Sequence, residues 1–181
     1  MQTLDVIKKR RSVRSFTDKA VEENKLEKLV EAAIWAPSGG NRQPWNVVIV
    51  QPKEDIEQIK AVSPGILGNP GALIVLCADR TKTGGNEEEA GSSIGLYKRY
   101  QNVDIGIAAQ NICLEATELG LGSCMVGSFN QKAVTELLDI PDRFIPELVV
   151  SLGYPQNMPD APPRRTVKET VIRWIKPEGE K

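Results

Sequence analysis

Histidine is absent from the 181 residues, and that absence excludes a good deal of chemistry. Ser-His-Asp and Cys-His catalysis need an imidazole base, and His-ligated metal sites need the same ring as a ligand. Cysteine is scarce. Cys77, Cys113 and Cys124 each sit in an apolar run without C-x-x-C spacing, so they are expected as buried, reduced thiols, a reactive Cys124 being the lesser alternative. No metal site is expected. No apolar run nears the length of a membrane span, and Met1–Asp5 turns polar at once, which predicts no signal peptide, no membrane partner and a cytoplasmic protein. The net charge is only −1, so neither sign dominates. An enzyme of this composition leaves its hard chemistry to a cofactor.

Positive charge is nonetheless concentrated in one place. Lys8-Lys9-Arg10-Arg11-Ser12-Val13-Arg14-Ser15-Phe16 holds five cations and two hydroxyls in nine residues. Arginine forks bind phosphate in bidentate fashion and keep their charge at any working pH. The cluster reads as half of a site for a phosphate-bearing cofactor. Alone it also fits a solvated helix end or a crude nucleic-acid patch. Nucleic acid is the poorer reading, because no aromatic side chains interleave with the charges and the balance of charge is slightly acidic.

Hydrophobic spacing predicts helices over 3–11, 24–35, 53–62 and 97–119, and over 131–138 behind an Asn130 cap. Buried strands are predicted at 46–51, 72–78, 121–128 and 146–152. The 97–119 helix, with small residues on several faces, is expected at the centre of the core and at a subunit interface. Residues 63–71 read as a connecting loop, 79–93 as a mobile polar loop, and 154–165 as an extended tail delivering Arg164 and Arg165. Residues 166–175 read as a strand or helix docking elsewhere. Length and composition predict one domain over 1–181, with α and β elements in layers.

A second segment, Ala36-Pro37-Ser38-Gly39-Gly40-Asn41-Arg42-Gln43-Pro44-Trp45, is dense in small, amide and hydroxyl-bearing residues. It is not a dinucleotide fingerprint, since no G-x-G-x-x-G opens a helix after a strand. In fixed order with R-R-S-V-R-S-F, A-A-Q-N-I-C-L-E-A-T-E-L-G-L-G-S-C and S-L-G-Y-P before a basic pair, it resembles the FMN-dependent nitroreductase family over about Lys8 to Val171.

The resemblance implies an α+β, three-layer α/β/α fold around a central mixed, mostly antiparallel sheet. It implies a homodimer whose C-terminal tail, 154–181, is exchanged between subunits and docks on the partner. Arg10, Ser12 and Arg164 would hold the FMN phosphate and adjacent ribityl chain, with Arg11 on the ribityl chain or facing water. Arg14 would approach the N1 and O2 side of the ring, where a fixed cation stabilises the reduced anion. Pro37, Ser38, Gly39 and Asn41 would line the ring from the opposite subunit, and Gln43, Pro44 and Trp45 match the same motif, Trp45 as packing. Gly127 and Ser128 match the segment whose amides face N5 and O4. Many relatives carry a lysine where this chain has Pro162, so Arg165 could substitute in phosphate binding. The implied reaction is ping-pong: NADH or NADPH gives hydride to FMN, and a small acceptor such as a nitroaromatic or quinone then takes two electrons. No side-chain acid or base is required. The alternatives are another flavoenzyme branch of the fold (a dehydrogenase or oxidase of a biosynthetic intermediate, a dehalogenase, a flavin-cleaving enzyme), a flavin-binding protein without turnover, or a flavin-free relative.

Overall fold

The stretch Ala72–Asp79 is apolar on both sides, and this decides the architecture. In the computed structural model, which describes residues 2–83 and 93–176, it forms strand β2 and is buried along its whole length. Side chains alternate between the two faces of a strand. Ala72, Ile74, Leu76 and Ala78 enter a core with Leu26, Leu29 and Ala33 of helix α2 (Glu23–Ile34) and Ala108, Ala109 and Ile112 of α5 (Ser93–Glu118). Leu73, Val75 and Cys77 enter a second core with Ile56 and Ile59 of α3 (Lys53–Ala61) and Val134 of α6 (Gln131–Leu137). Helices therefore cover both faces of one sheet, giving three layers. Burial pushes the Cys77 thiol up to about 12, with the Glu147 carboxylate as a further cause, and all three cysteines are free and buried.

The strand order is β1 (Trp45–Val50), β2, β4 (Phe144–Gly153), β3 (Gly122–Val126). Each pairing in this sheet is antiparallel, where the resemblance implies a mixed, mostly antiparallel one. Among the described residues the one parallel pairing is an isolated bridge between Ser12 and Ser123. Between β2 and β4 the register slips: Leu76 faces Leu148 and Cys77 faces Pro146, which leaves Glu147 as the extra residue of a bulge.

Element ends differ from the sequence expectation for local reasons. Helix α1 (Thr3–Lys9) stops short of Arg11 because Val13 N–H is committed to Ser123 O at 2.9 Å. Helix α5 begins at Ser93 and ends at Glu118, just before Gly120, whose φ of 76° lets Leu121 N–H reach back to Ala116 O at 2.7 Å. Of the expected 79–93 loop, Asp79 belongs to β2 and Arg80–Thr83 form a helical turn, α4, while 84–92 lie outside the described residues. The Asp79 carboxylate holds this turn by accepting from the Thr81 N–H at 2.9 Å and hydroxyl at 2.7 Å. Beyond Pro155 the tail is exposed to Lys176 and contains one short helix, α7 (Val167–Thr170), closed by a reciprocal Thr166–Glu169 capping box.

Candidate functional site

The basic segment is laid on the sheet edge by packing. Val13 is buried against β3, where a Cβ at Gly122 would come within 2.7 Å of the Val13 Cβ. This fixes the residues on either side. Arg10 has no hydrogen bond or ion pair to its side chain among the described residues, and it lies near Cys113. Burial raises the Cys113 thiol and the Arg10 cation works against that rise. The Ser12 hydroxyl is equally unpartnered. Arg14 is exposed and makes one long contact, 3.4 Å, to the Ser12 carbonyl. Arg11 differs. Its Nη1 donates to the carbonyls of Lys8 at 2.6 Å and Arg10 at 2.8 Å, closing the end of α1, while its Nε is buried without a partner. Arg11 thus holds its neighbours in place rather than presenting a free fork.

The 63–71 loop supplies a wall that the sequence reading took for a connection. Gly65 N–H donates to Ser128 O at 3.2 Å, and the backbone at Gly68 passes so close to Arg14 that a Cβ there would meet the Arg14 carbonyl oxygen at 2.4 Å. The loop therefore buckles Arg14 to the Gly127–Ser128 end of β3. Gly127 itself has nothing within 4 Å of the place a Cβ would occupy. The density of glycine in 63–71 was the available signal. One guanidinium without a partner among the described residues, a second held by one long contact, a free hydroxyl and an open glycine wall suit an anionic group attached to a flat body.

The second segment forms its own tight structure. Pro37 is exposed. Ser38 Oγ accepts from Gln43 N–H at 2.9 Å, and Gln43 Nε2 donates to Asn41 Oδ1 at 3.1 Å. A 3-10 turn over Gly39–Asn41 is followed by β1, whose Trp45 is buried in the core, as the packing reading expected. Gly40, Asn41 and Gln43 have φ of 58°, 53° and 49°. Left-handed backbone at the two non-glycine residues costs on the order of 1–2 kcal/mol each. Gly39 N–H donates to both carboxylate oxygens of Asp104 on α5, each at 3.3 Å.

The two halves do not meet within one chain. The basic segment lies along the β3 edge, whereas the 38–43 segment leads into β1 at the opposite edge, roughly 19 Å away at about 4.8 Å per strand. Along α5, Gly39 rests on Asp104 and Arg10 lies by Cys113, positions about 14 Å apart on the helix axis. The tail arginines are also separate. Arg164 donates to the carbonyls of Pro162 and Pro163 at 3.4 and 3.3 Å, Arg165 has no partner among the described residues, and no hydrogen bond or ion pair joins either to residues 10–14. The convergence of Arg10 and Arg164 that the sequence reading requires is not made inside a single chain.

Comparison with known proteins bears on what this arrangement serves. A model described as "Nitroreductase family" matches residues 7–154. A protein of Archaeoglobus fulgidus, named as an NADH dehydrogenase/NAD(P)H nitroreductase, is 36% identical over 166 residues, 88% of each chain. An FMN reductase (NADPH) of Bacillus subtilis is 30% identical over 90% of this chain and 69% of its own length. A protein of Desulfovibrio desulfuricans, described as a nitroreductase and solved in complex with FMN, superposes with a TM-score of 0.79 at 26% identity, covering 98% of this chain and 99% of that one.

Proposed function

Because the chain belongs to the nitroreductase family, we propose that it is an FMN-dependent NAD(P)H oxidoreductase working on small electron acceptors such as nitroaromatics and quinones. The observation that carries this reading is Arg10, whose side chain has no partner among the described residues, together with Arg14, whose guanidinium makes one long contact to the Ser12 carbonyl, flanking a Ser12 hydroxyl that is unpartnered among those residues beside an open Gly127. These residues fit a phosphate-bearing flavin. Arg10 and Ser12 hold the phosphate, and Arg14 places a permanent cation by the ring, favouring negative charge there. Gly127 and Ser128 border the ring, and Arg11 secures the segment from behind. Bound in this cleft, FMN accepts hydride from NADH or NADPH and passes two electrons to the acceptor, in ping-pong order.

The opposite wall comes from Pro37, Ser38, Gly39, Asn41 and Gln43 of a second copy. The separation of the two halves across the sheet supports this, because one chain does not close the cleft. In this homodimer the 154–181 tail docks on the partner, and Arg164 or Arg165 reaches the phosphate. The whole chain, 1–181, acts as one FMN-binding domain. The proposal places it in the cytoplasm, where nicotinamide cofactors are supplied and free buried thiols stay reduced. No helix among the described residues is long and apolar enough to cross a membrane.

Arg10→Ala tests the phosphate pocket. Loss of a charge-assisted bond should weaken FMN binding about 10- to 100-fold, read by quenching of flavin fluorescence. Unchanged affinity removes the assignment. Anaerobic bleaching of the bound flavin by NAD(P)H, followed by reoxidation with a quinone, tests the reaction. A flavin that NAD(P)H does not bleach points to binding without turnover.

A further inference from the structure

We propose that Asp104 is the positioning residue of the cofactor-lining loop: its buried carboxylate fixes the Gly39 amide and, through it, the Gly39–Asn41 turn. The inference rests on the reading that this turn lines the flavin.

Asp104 is 7% exposed, and no cation pairs with it among the described residues. A buried carboxylate without a counter-ion is costly, and a well-packed apolar side chain serves the core of a helix better. Its one hydrogen-bond partner among the described residues is Gly39 N–H, which both carboxylate oxygens share at 3.3 Å. Burial raises the pKa of Asp104, and this amide works against the rise.

The bond has consequences along the loop. With Gly39 N–H turned toward α5, Ser38 O accepts from Asn41 N–H at 3.0 Å and Gly39 O accepts from Arg42 N–H at 3.3 Å. Those bonds close the turn around residues held at positive φ. The amides of Gly39, Asn41, Arg42 and Gln43 are then all committed. Donors of this turn without a partner among the described residues are the Ser38 and Gly40 N–H groups, the hydrogen of the Ser38 hydroxyl and the Asn41 side-chain NH2. Strained backbone persists only where its surroundings over-determine it. Asp104 is the anchor that reaches this turn from the rigid interior of α5. It acts through the loop and touches no reacting atom.

A comparator lies one turn earlier on the same helix. Gln101 Nε2 donates to Glu147 Oε1 at 2.9 Å, joining α5 to the β4 bulge, and burial raises the Glu147 pKa as it does that of Asp104. Glu147→Gln disturbs a half-buried carboxylate against α5 without touching the loop.

The experiment measures FMN affinity by fluorescence quenching, the visible spectrum of the bound flavin, and thermal unfolding of the apoprotein, for the unsubstituted chain, Asp104→Ala, Asp104→Asn and Glu147→Gln. Asp104→Ala should bind FMN about tenfold more weakly and shift the bound-flavin absorbance, as expected for losing one bond to a charged acceptor. The nearly isosteric Asp104→Asn keeps one acceptor oxygen, so it should fold and fall between. Glu147→Gln keeps an acceptor oxygen for Gln101 and removes a partly desolvated charge, so it should keep its thermal stability and hold FMN affinity within about twofold. The inference is overturned if Asp104→Asn and Asp104→Ala, or Asp104→Asn alone should the alanine variant not fold, keep the unsubstituted affinity and spectrum. It is equally overturned if Glu147→Gln weakens FMN as much as Asp104→Asn does. Absence of FMN binding by the unsubstituted chain sinks the reading of the site, and the inference with it, and is seen before any variant is compared.

Discussion

The two ends of the Asp79–Arg143 ion pair are not equivalent, since their side chains are 1% and 52% exposed. Arg143 donates to both carboxylate oxygens and holds the Asp79 carboxyl well below the usual carboxylate range, with the Thr81 bonds as further causes. Removing the arginine strands a buried charge on the Thr81 donors alone. Removing the carboxylate frees a guanidinium that water can reach. Arg143→Ala should therefore destabilise the fold more than Asp79→Asn does at pH 7, because it leaves the buried charge behind. Asp79→Asn should cost about 1–2 kcal/mol. The folded pKa of Asp79 is depressed, so its stabilisation is fully present above the unfolded value near pH 4 and is lost as pH falls through the folded one. The deficit of Arg143→Ala should accordingly be largest near neutrality and shrink below about pH 4. Urea unfolding from pH 7 to pH 3 checks this, and a pH-independent deficit contradicts it.

At the level of elements, the 63–71 loop shows how local backbone shape can govern a cation far away in sequence. Gly68 has φ of 69° and its missing Cβ leaves room for the Arg14 carbonyl oxygen. Gly68→Ala adds a left-handed penalty of about 1–2 kcal/mol and a clash with backbone that cannot rotate aside. Arg14 and the Ser128 end of β3 should both shift, so FMN affinity should fall further than in a variant of equal stability loss elsewhere. Affinity and unfolding midpoint measured together decide it: a stability loss with unchanged affinity would show that the loop does not set the cleft. The loop's role was hidden in the sequence because it depends on contacts between residues 65 and 128 and between 68 and 14. What was legible was local. The apolar spacing of α2 and α3, the doubly buried β2, the Asn130 cap accepting from Ala133 N–H at 3.1 Å and the Gly120 stop all use information within a few residues. The Asp104–Gly39 bond, the Glu147 bulge and the inward turn of Arg11 depend on tertiary pairing, which hydrophobic periodicity does not encode. The motif residues of the candidate site could be named from the sequence, but not their division between two edges of one sheet.

For the molecule as a whole, the tail poses a question that one chain does not answer. Trp174 and Ile175 are 72% and 79% exposed, and Val167 and Ile172 are exposed beside them. Burying such side chains is worth on the order of 1.5–3 kcal/mol apiece, which an extended monomer tail forgoes. The same chain leaves half of its candidate cleft at each edge of the sheet. A second copy would resolve both facts: its surface would take the apolar tail, and its 37–43 segment would face the basic segment of the first. If so, assembly and cofactor binding are linked, and each strengthens the other. Deleting residues 166–181 while keeping Arg164 and Arg165 separates the apolar docking from the phosphate contacts. The shortened chain should shift toward monomer at micromolar concentration in analytical ultracentrifugation, and its FMN affinity should become concentration-dependent, recovering as protein is added. Added FMN should in turn drive it back toward dimer. A shortened chain that sediments as a monomer yet binds FMN with undiminished affinity at every concentration would mean that one chain builds the whole cleft, and the two-copy site would have to be abandoned.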